Sequence, residues 1–255
     1  MFNQQQIQQF NRQGFIVERG LANTETCKAM VNQIKSSLQP PLAPLEFETD
    51  VHYPGSPADR LSEGGDTPRR LLHAYTRDAV FREWSKSPAI VERVKQLINA
   101  ERIEVSQNHH NCIMTKHPGF SSATLWHQDF RYWLFDQPEL ISVWLALGKE
   151  FDKNGGMHLI PGSHQHELDR GYYDAAYFLR TDLTENQELI DSAISADLEA
   201  GDVLFFHCKT LHAAGRNQTD EVKYSLVFTY HDVNNQPIAG TVSYTHLTLP
   251  TTPYV

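Results

Sequence analysis

The chain is short of paired cysteine, of long apolar runs and of positive charge. Its three cysteines, Cys27, Cys112 and Cys208, are odd in number, widely spaced and form no Cys-x-x-Cys. That argues against a disulfide framework and against a cysteine zinc site. No segment approaches the roughly 18 apolar residues that a membrane span requires. The amino-terminal MFNQQQIQQFNRQG has no basic stretch leading into an apolar run, so no secretory signal is read there. Lys and Arg number 22 against 31 Asp and Glu, a formal charge of −9, which argues against a broad basic surface for a phosphate backbone. A P-loop and a dinucleotide fingerprint are both missing, and Gly162-Ser163-His164 lacks the frame of a nucleophile elbow. The expectation is a soluble, cytoplasmic protein that acts on a small molecule, with no nucleic-acid or membrane partner.

What is present fits one large domain. The 255 residues are 40% hydrophobic and 21% charged, an ordinary globular balance with ample material for a core. The first hundred residues read as mostly helical. Asn23 or Thr24 can cap a helix whose Cys27, Met30, Val31, Ile34 and Leu38 share a face, and Pro40 and Pro41 end it. A long loop runs from there to Pro68, and Ser87-Pro88 opens a further helix. After Arg102 the pattern changes to short β-branched and aromatic runs: RIEVSQNHHNCIMTK, ISVWLALG, MHLIPGSH, DVLFFH and KYSLVFTYH. Asn154-Gly155 before the third is a hairpin signal, and a mixed stretch from Leu168 to Ala196 holds one helix around Glu185 to Ile194. Many short strands at this spacing predict a sandwich or barrel. The expected division is a helical part over about 1–100 and a β core over about 101–241.

LWHQDFRYW, residues Leu125 to Trp133, places His127 and Asp129 two apart in an aromatic frame. Thirteen histidines make one chance His-x-Asp unremarkable, so the motif needs support from its surroundings. On a strand, residues two apart share a face, so both could point at one metal. A third ligand would come from a distant strand, and GDVLFFHCKTLHAAGRN offers His207 and His212. Two histidines and a carboxylate leave three octahedral positions open, as in non-haem iron(II) oxygenases, although zinc accepts the same set.

The run from Lys116 to Ser225 resembles the phytanoyl-CoA dioxygenase family, which includes ectoine hydroxylase-like bacterial enzymes. Five pieces in order carry the resemblance: Lys116-x-Pro118-Gly119, Trp126-His-Gln-Asp129, Val143 to Leu147, Asn154 to His164, and Gly201 to Asn217. Segments around RRLLHAY and SPAIVERVKQLI, read as helical, match more loosely. The resemblance implies a double-stranded β-helix, a jelly-roll or cupin-like barrel with flanking helices, holding iron(II) and using 2-oxoglutarate and O2. It implies His212 as the distal ligand, with His207 left to packing. The cosubstrate would chelate the metal and leave as succinate and CO2 while a C–H bond is hydroxylated. Halogenating relatives lack the carboxylate supplied here by Asp129, which favours hydroxylation. A zinc-dependent or redox-inactive cupin-like enzyme, or a binding barrel, is the competing class.

In one place the chain departs from the family, where an arginine on the strand after the distal histidine holds the far carboxylate of the cosubstrate. The matching position is Lys223, with Ser225 on the same strand face; Arg216, in the preceding turn, is the rival. Trp144 matches an aromatic position near the cosubstrate, and Lys116 reads either as a residue of the pocket mouth or as a snorkelling strand lysine. Arg69, Arg70 and His73 read as a basic helix end that could meet an anionic substrate. Residues 242–255, beginning VSYTHLTLPTT, do not extend the family pattern; they match the translation of a transposon-end sequencing adapter and are expected to be non-native.

Overall fold

The computed structural model describes residues 1–239, with the side chain of Tyr132 excepted. The adapter-like segment 242–255 lies outside the described residues. The elements run α1 (Gln4–Gln13), β1 (Phe15–Glu18), α2 (Thr24–Ser37), β2 (Leu45–Phe47), β3 (Pro68–Leu72), α3 (Ala74–Arg77), α4 (Ala79–Ser85) and α5 (Pro88–Ile98). There follow β4 (Ile103–Val105), β5 (Asn111–Lys116), β6 (Thr124–His127), β7 (Leu140–Ala146), β8 (Met157–Leu159) and α6 (Thr184–Asp191). The chain then completes β9 (Ile194–Ser195), β10 (Val203–His207), β11 (His212–Ala214) and β12 (Lys223–Asp232).

Two antiparallel sheets face each other. The larger has eight strands, in the order β1-β10-β7-β12-β5-β3-β2 with β4 beside β12; the smaller runs β6-β11-β8-β9. The period of two along each strand divides the hydrophobic residues between two cores. Ile141, Val143, Leu145, Phe205, Leu226 and Phe228 point outward and pack under Met30, Ile34, Phe81 and Ile90 of the helices. Cys112, Trp144, Ala146, Leu204, Phe206 and Val227 point inward against Met157 and Leu159 of the smaller sheet. The helices therefore brace one face and leave the space between the sheets for a site.

The helix signals act as expected. Asn23 Oδ1 accepts from Thr26 N at the start of α2, and Pro88 occupies the first turn of α5 after Ser87. Two readings need correction. RRLL is not helical: Arg70 pairs with Met114 and Leu71 with Ile113, making β3 a barrel strand. A segment of four such residues before His73 carries no period long enough to separate strand from helix. Asn154-Gly155 does turn the chain, with Gly155 at φ 75, but it carries β7 of one sheet over to β8 of the other instead of closing a hairpin. Gly155 is also required by space, since a Cβ there would lie 2.6 Å from Gly215 O and from Lys116 Cδ.

Candidate metal centre

β11 lies between β6 and β8, and its register sets His212 directly opposite His127. A cross-strand pair brings Cβ atoms to about 4.5–5.5 Å, and the two imidazole centroids are 4.2 Å apart. Asp129 is not on the strand with His127, as its spacing had implied. β6 ends at His127, and Asp129 opens a single turn of 3-10 helix, residues Asp129–Tyr132, which swings its carboxylate back between the rings. Asp129 Oδ1 is 3.6 Å from Nε2 of His127 and 3.6 Å from Nε2 of His212.

The protonation states suit a cation. His127 Nδ1 is 2.8 Å from Leu125 O and His212 Nδ1 is 2.9 Å from Thr210 O. A carbonyl only accepts, so each Nδ1 carries a proton, the tautomer that aims Nε2 at a metal. Burial, helped by His127, pushes His212 down to about 3, so it is neutral at physiological pH. Burial works the other way on Asp129, but His110, His212 and His127 outweigh it and hold the acid well below the usual range, as a carboxylate. Two imidazoles and one carboxylate, with donor atoms all within 4.8 Å of one another, form a ready ligand set. One ion with bonds of about 2.1 Å spans such gaps. No other group of three such ligands occurs among the described residues.

Asp129 is held from behind. Its Oδ2 lies 3.4 Å from His110 Nδ1 and 3.5 Å from Ser142 Oγ, and Ser142 is in turn 3.0 Å from Thr229 Oγ1. His110 thus lines the cavity and supports Asp129. His207 stays outside the cavity: its Nε2 meets Glu139 at 3.3 Å and its ring packs on His164.

A cavity of about 330 Å³ opens from the three ligands. Lys116, Trp144 and Lys223 line it. β5 and β12 pair so that Lys116 and Lys223 stand opposite each other. Lys223 is buried, and Glu150, a residue that sequence reasoning missed, takes its charge: Nζ to Oε2 is 3.0 Å. The same carboxylate accepts from Ser225 Oγ at 2.6 Å and from Trp144 Nε1 at 3.1 Å. The donors expected to hold a cosubstrate carboxylate are thus occupied by an internal one, and Ser225 lies behind Lys223 instead of on the cavity wall. Lys116 gives its ammonium protons to the carbonyls of Ser122, at 2.9 Å, and Gly215. Burial, and then the facing Lys223, push it down to about 7. Arg216 does not line the cavity. It turns to the carbonyls of Ser121, at 3.1 Å, and Gly119, at 2.6 Å.

Two sheets closing over two histidines and a carboxylate define the barrel and site of a non-haem iron oxygenase. The chain belongs to the phytanoyl-CoA dioxygenase family, whose profile matches residues 10–225, and it is a 2-oxoglutarate-dependent dioxygenase. It is 23% identical to an ectoine dioxygenase of Bordetella parapertussis, over 90% of this chain and 75% of that protein. It is also 23% identical to phytanoyl-CoA dioxygenase domain-containing protein 1 of Danio rerio, over 91% of this chain and 90% of that one. Among solved structures it resembles EctD from S. alaskensis with 2-oxoglutarate and 5-hydroxyectoine (TM-score 0.76, 18% identity, 93% of this chain and 78% of that one). It also resembles the epimerase SnoN with Fe3+, α-ketoglutarate and nogalamycin RO (TM-score 0.75, 18% identity, 98% and 91%). At these identities the two structures speak to the fold. No helix among the described residues is long and apolar enough to cross a membrane.

Proposed function

We propose that this domain hydroxylates a small organic molecule, with His127, Asp129 and His212 holding iron(II) and with Lys116, opposite the Glu150-bound Lys223, receiving the far carboxylate of 2-oxoglutarate. Bound there, iron(II) with O2 and 2-oxoglutarate supplies the oxidising power that turns C–H into C–OH, releasing succinate and CO2. The chain's own residues supply position. The backbone carbonyls of Leu125 and Thr210 aim the imidazoles, and His110 and Ser142 fix the carboxylate.

The observation that carries the cosubstrate assignment is the lysine pair. Like charges directly opposite each other in a sheet are unfavourable, and Glu150 cancels only one of them. A carboxylate placed at the cavity end beside Lys116 answers the other. Trp144, held by Glu150, walls that end. The test is O2-dependent succinate release that requires added 2-oxoglutarate; turnover of a substrate by the zinc-loaded protein without either would favour a redox-inactive enzyme.

Lys116 gives the assignment a pH signature. Four charged groups surround its ammonium: Lys223 and Arg69 disfavour the proton, whereas Glu48 and Glu150 favour it. Without cosubstrate the side chain loses its proton as pH rises through about 7. A neighbouring carboxylate favours the charged form, so binding above that pH takes up a proton. Affinity should therefore fall as pH rises above 7, by up to about tenfold per unit, and Lys116→Met should flatten the slope. Calorimetry on manganese-loaded protein at several pH values reads this without turnover. In the same assay Lys116→Met should weaken binding about 10- to 150-fold at pH 6.5, the worth of a charge-assisted hydrogen bond, while Arg216→Ala leaves it unmoved. The reverse result would move the carboxylate site to the Arg216 turn.

A further inference from the structure

Beside the lysine pair, on β3 and in the turn after β6, the lining changes character. Three arginines, Arg69, Arg70 and Arg131, stand there with the rings of Tyr53 and Trp133, the polar side chains of residues 108–110 and Thr124. The aliphatic side chain beside them is that of Met114, which pairs with Arg70 across β3 and β5. Cavities that take lipophilic ligands are lined mainly by apolar groups with a few polar ones; here guanidinium, imidazole and amide groups crowd one part of the wall.

The sign of the lining is equally one-sided. Asp129 is its one carboxylate, and that group faces the metal position. Arg69 and Arg70 share a single acid from behind the wall: Arg69 Nη1 and Arg70 Nε each lie 2.8 Å from the same oxygen of Glu46. Glu48 is 3.9 Å from Arg69 Nε, but its Oε2 already accepts from Ser122 N at 3.1 Å and Ser122 Oγ at 2.5 Å. Arg131 is fixed by the carbonyls of Ala176 and Tyr177, at 3.2 Å and 3.1 Å, and by the Tyr53 hydroxyl at 3.4 Å. Its guanidinium lies 3.9 Å over the Phe178 ring, and Phe178 packs against His127. Held in this way, the arginine loses little further entropy when it meets a ligand. This basic, pre-shaped surface stands in a chain whose formal charge is −9. It is a local feature, and low-dielectric walls focus such a field on whatever enters.

Resting on the oxygenase reading above, we infer that the hydroxylated substrate is a small, polar carboxylate, its anionic group received by the arginine wall and its body lying between Tyr53 and Trp133. A long acyl chain would meet little apolar surface there beyond Met114 and the rings of Tyr53 and Trp133. A cation would meet three guanidiniums. The cavity's 330 Å³, which must also take the cosubstrate, suits a compact molecule.

The experiment uses the full-length parent protein, loaded anaerobically with manganese(II) and 2-oxoglutarate, each loading followed by calorimetry. Failure at that stage overturns the oxygenase reading, and with it this inference. The loaded protein is then titrated with small carboxylic and amino acids, their methyl esters and amides, matched amines, phosphate monoesters and a medium-chain acyl thioester. We expect at least one acid to bind, at least tenfold more tightly than its ester or amide. Arg131→Gln should shrink that preference toward unity without abolishing 2-oxoglutarate binding. The inference is overturned if esters, amines, phosphates or the acyl thioester bind as tightly as the acids, or if no acid registers at millimolar concentration. The acid-to-ester ratio is measured on the parent protein, so it stands even if the arginine variant fails to fold.

Discussion

His212→Ala should bind no iron(II) and release no succinate while keeping the fold of the parent. His212 presents Nε2 to the cavity, and its partner His127 stands directly across the strand pair. Loss of a group that merely supports a ligand costs about 10- to 100-fold in metal affinity, so loss of a ligand should exceed that. His127→Ala should behave alike, because both rings stand at the cavity wall, with His212 meeting the inner core only edge-on at Phe206. Iron content by colorimetric assay and far-ultraviolet circular dichroism on the same sample separate metal loss from unfolding. His207→Ala is the control. Its ring meets Glu139 outside the cavity, so iron should remain at one per chain. Iron retained in the His212 variant and lost in the His207 variant would reassign the distal ligand.

The second large effect concerns Glu150. Its carboxylate is buried with Lys223, and it also answers the Ser225 hydroxyl and the Trp144 indole. Removing one member of a buried ion pair leaves an uncompensated charge and typically costs about 3–5 kcal/mol. Glu150→Leu should therefore destabilise the domain by about that amount. Replacing both partners by apolar residues of similar size often restores stability, so Glu150→Leu with Lys223→Met should recover most of the loss. Urea unfolding of the parent, both single variants and the double variant closes the cycle. A Glu150→Leu cost below about 1 kcal/mol would show that the carboxylate is solvated and that Lys223 is free for other partners.

These two effects differ in how far the sequence foretold them. The three side chains could be singled out because they sit in two of the pieces that resemble the family: Trp126 to Asp129, and Gly201 to Asn217. The barrel was readable because β-branched and aromatic runs of strand length recur after Arg102 with a period of two. Glu150 was not readable. In LGKEFDKNGG it looks like any acid of a solvent-exposed turn, and only the pairing of β12 with β7 and β5 brings Lys223 beside it. Long-range register, which local patterning does not encode, decided its role. Arg69 and Arg70 failed for a related reason: four residues of RRLL satisfy either period, and the tie was broken by pairing with β5 some forty residues later. Asp129 does stand beside the two histidines, but by a geometry the spacing did not foretell, since the carboxylate reaches the rings through a 3-10 turn. His110 carried no signal beyond its neighbour His109, because its relevance depends on the side chain of Ser142 from a third strand.

The most direct test of the central claim is an anaerobic titration of metal-free protein with iron(II), then 2-oxoglutarate, followed by exposure to O2. The account predicts one iron and one 2-oxoglutarate per chain, with succinate formed only when both and O2 are present. Succinate formation without iron, or a metal site that 2-oxoglutarate neither enters nor perturbs, would contradict it.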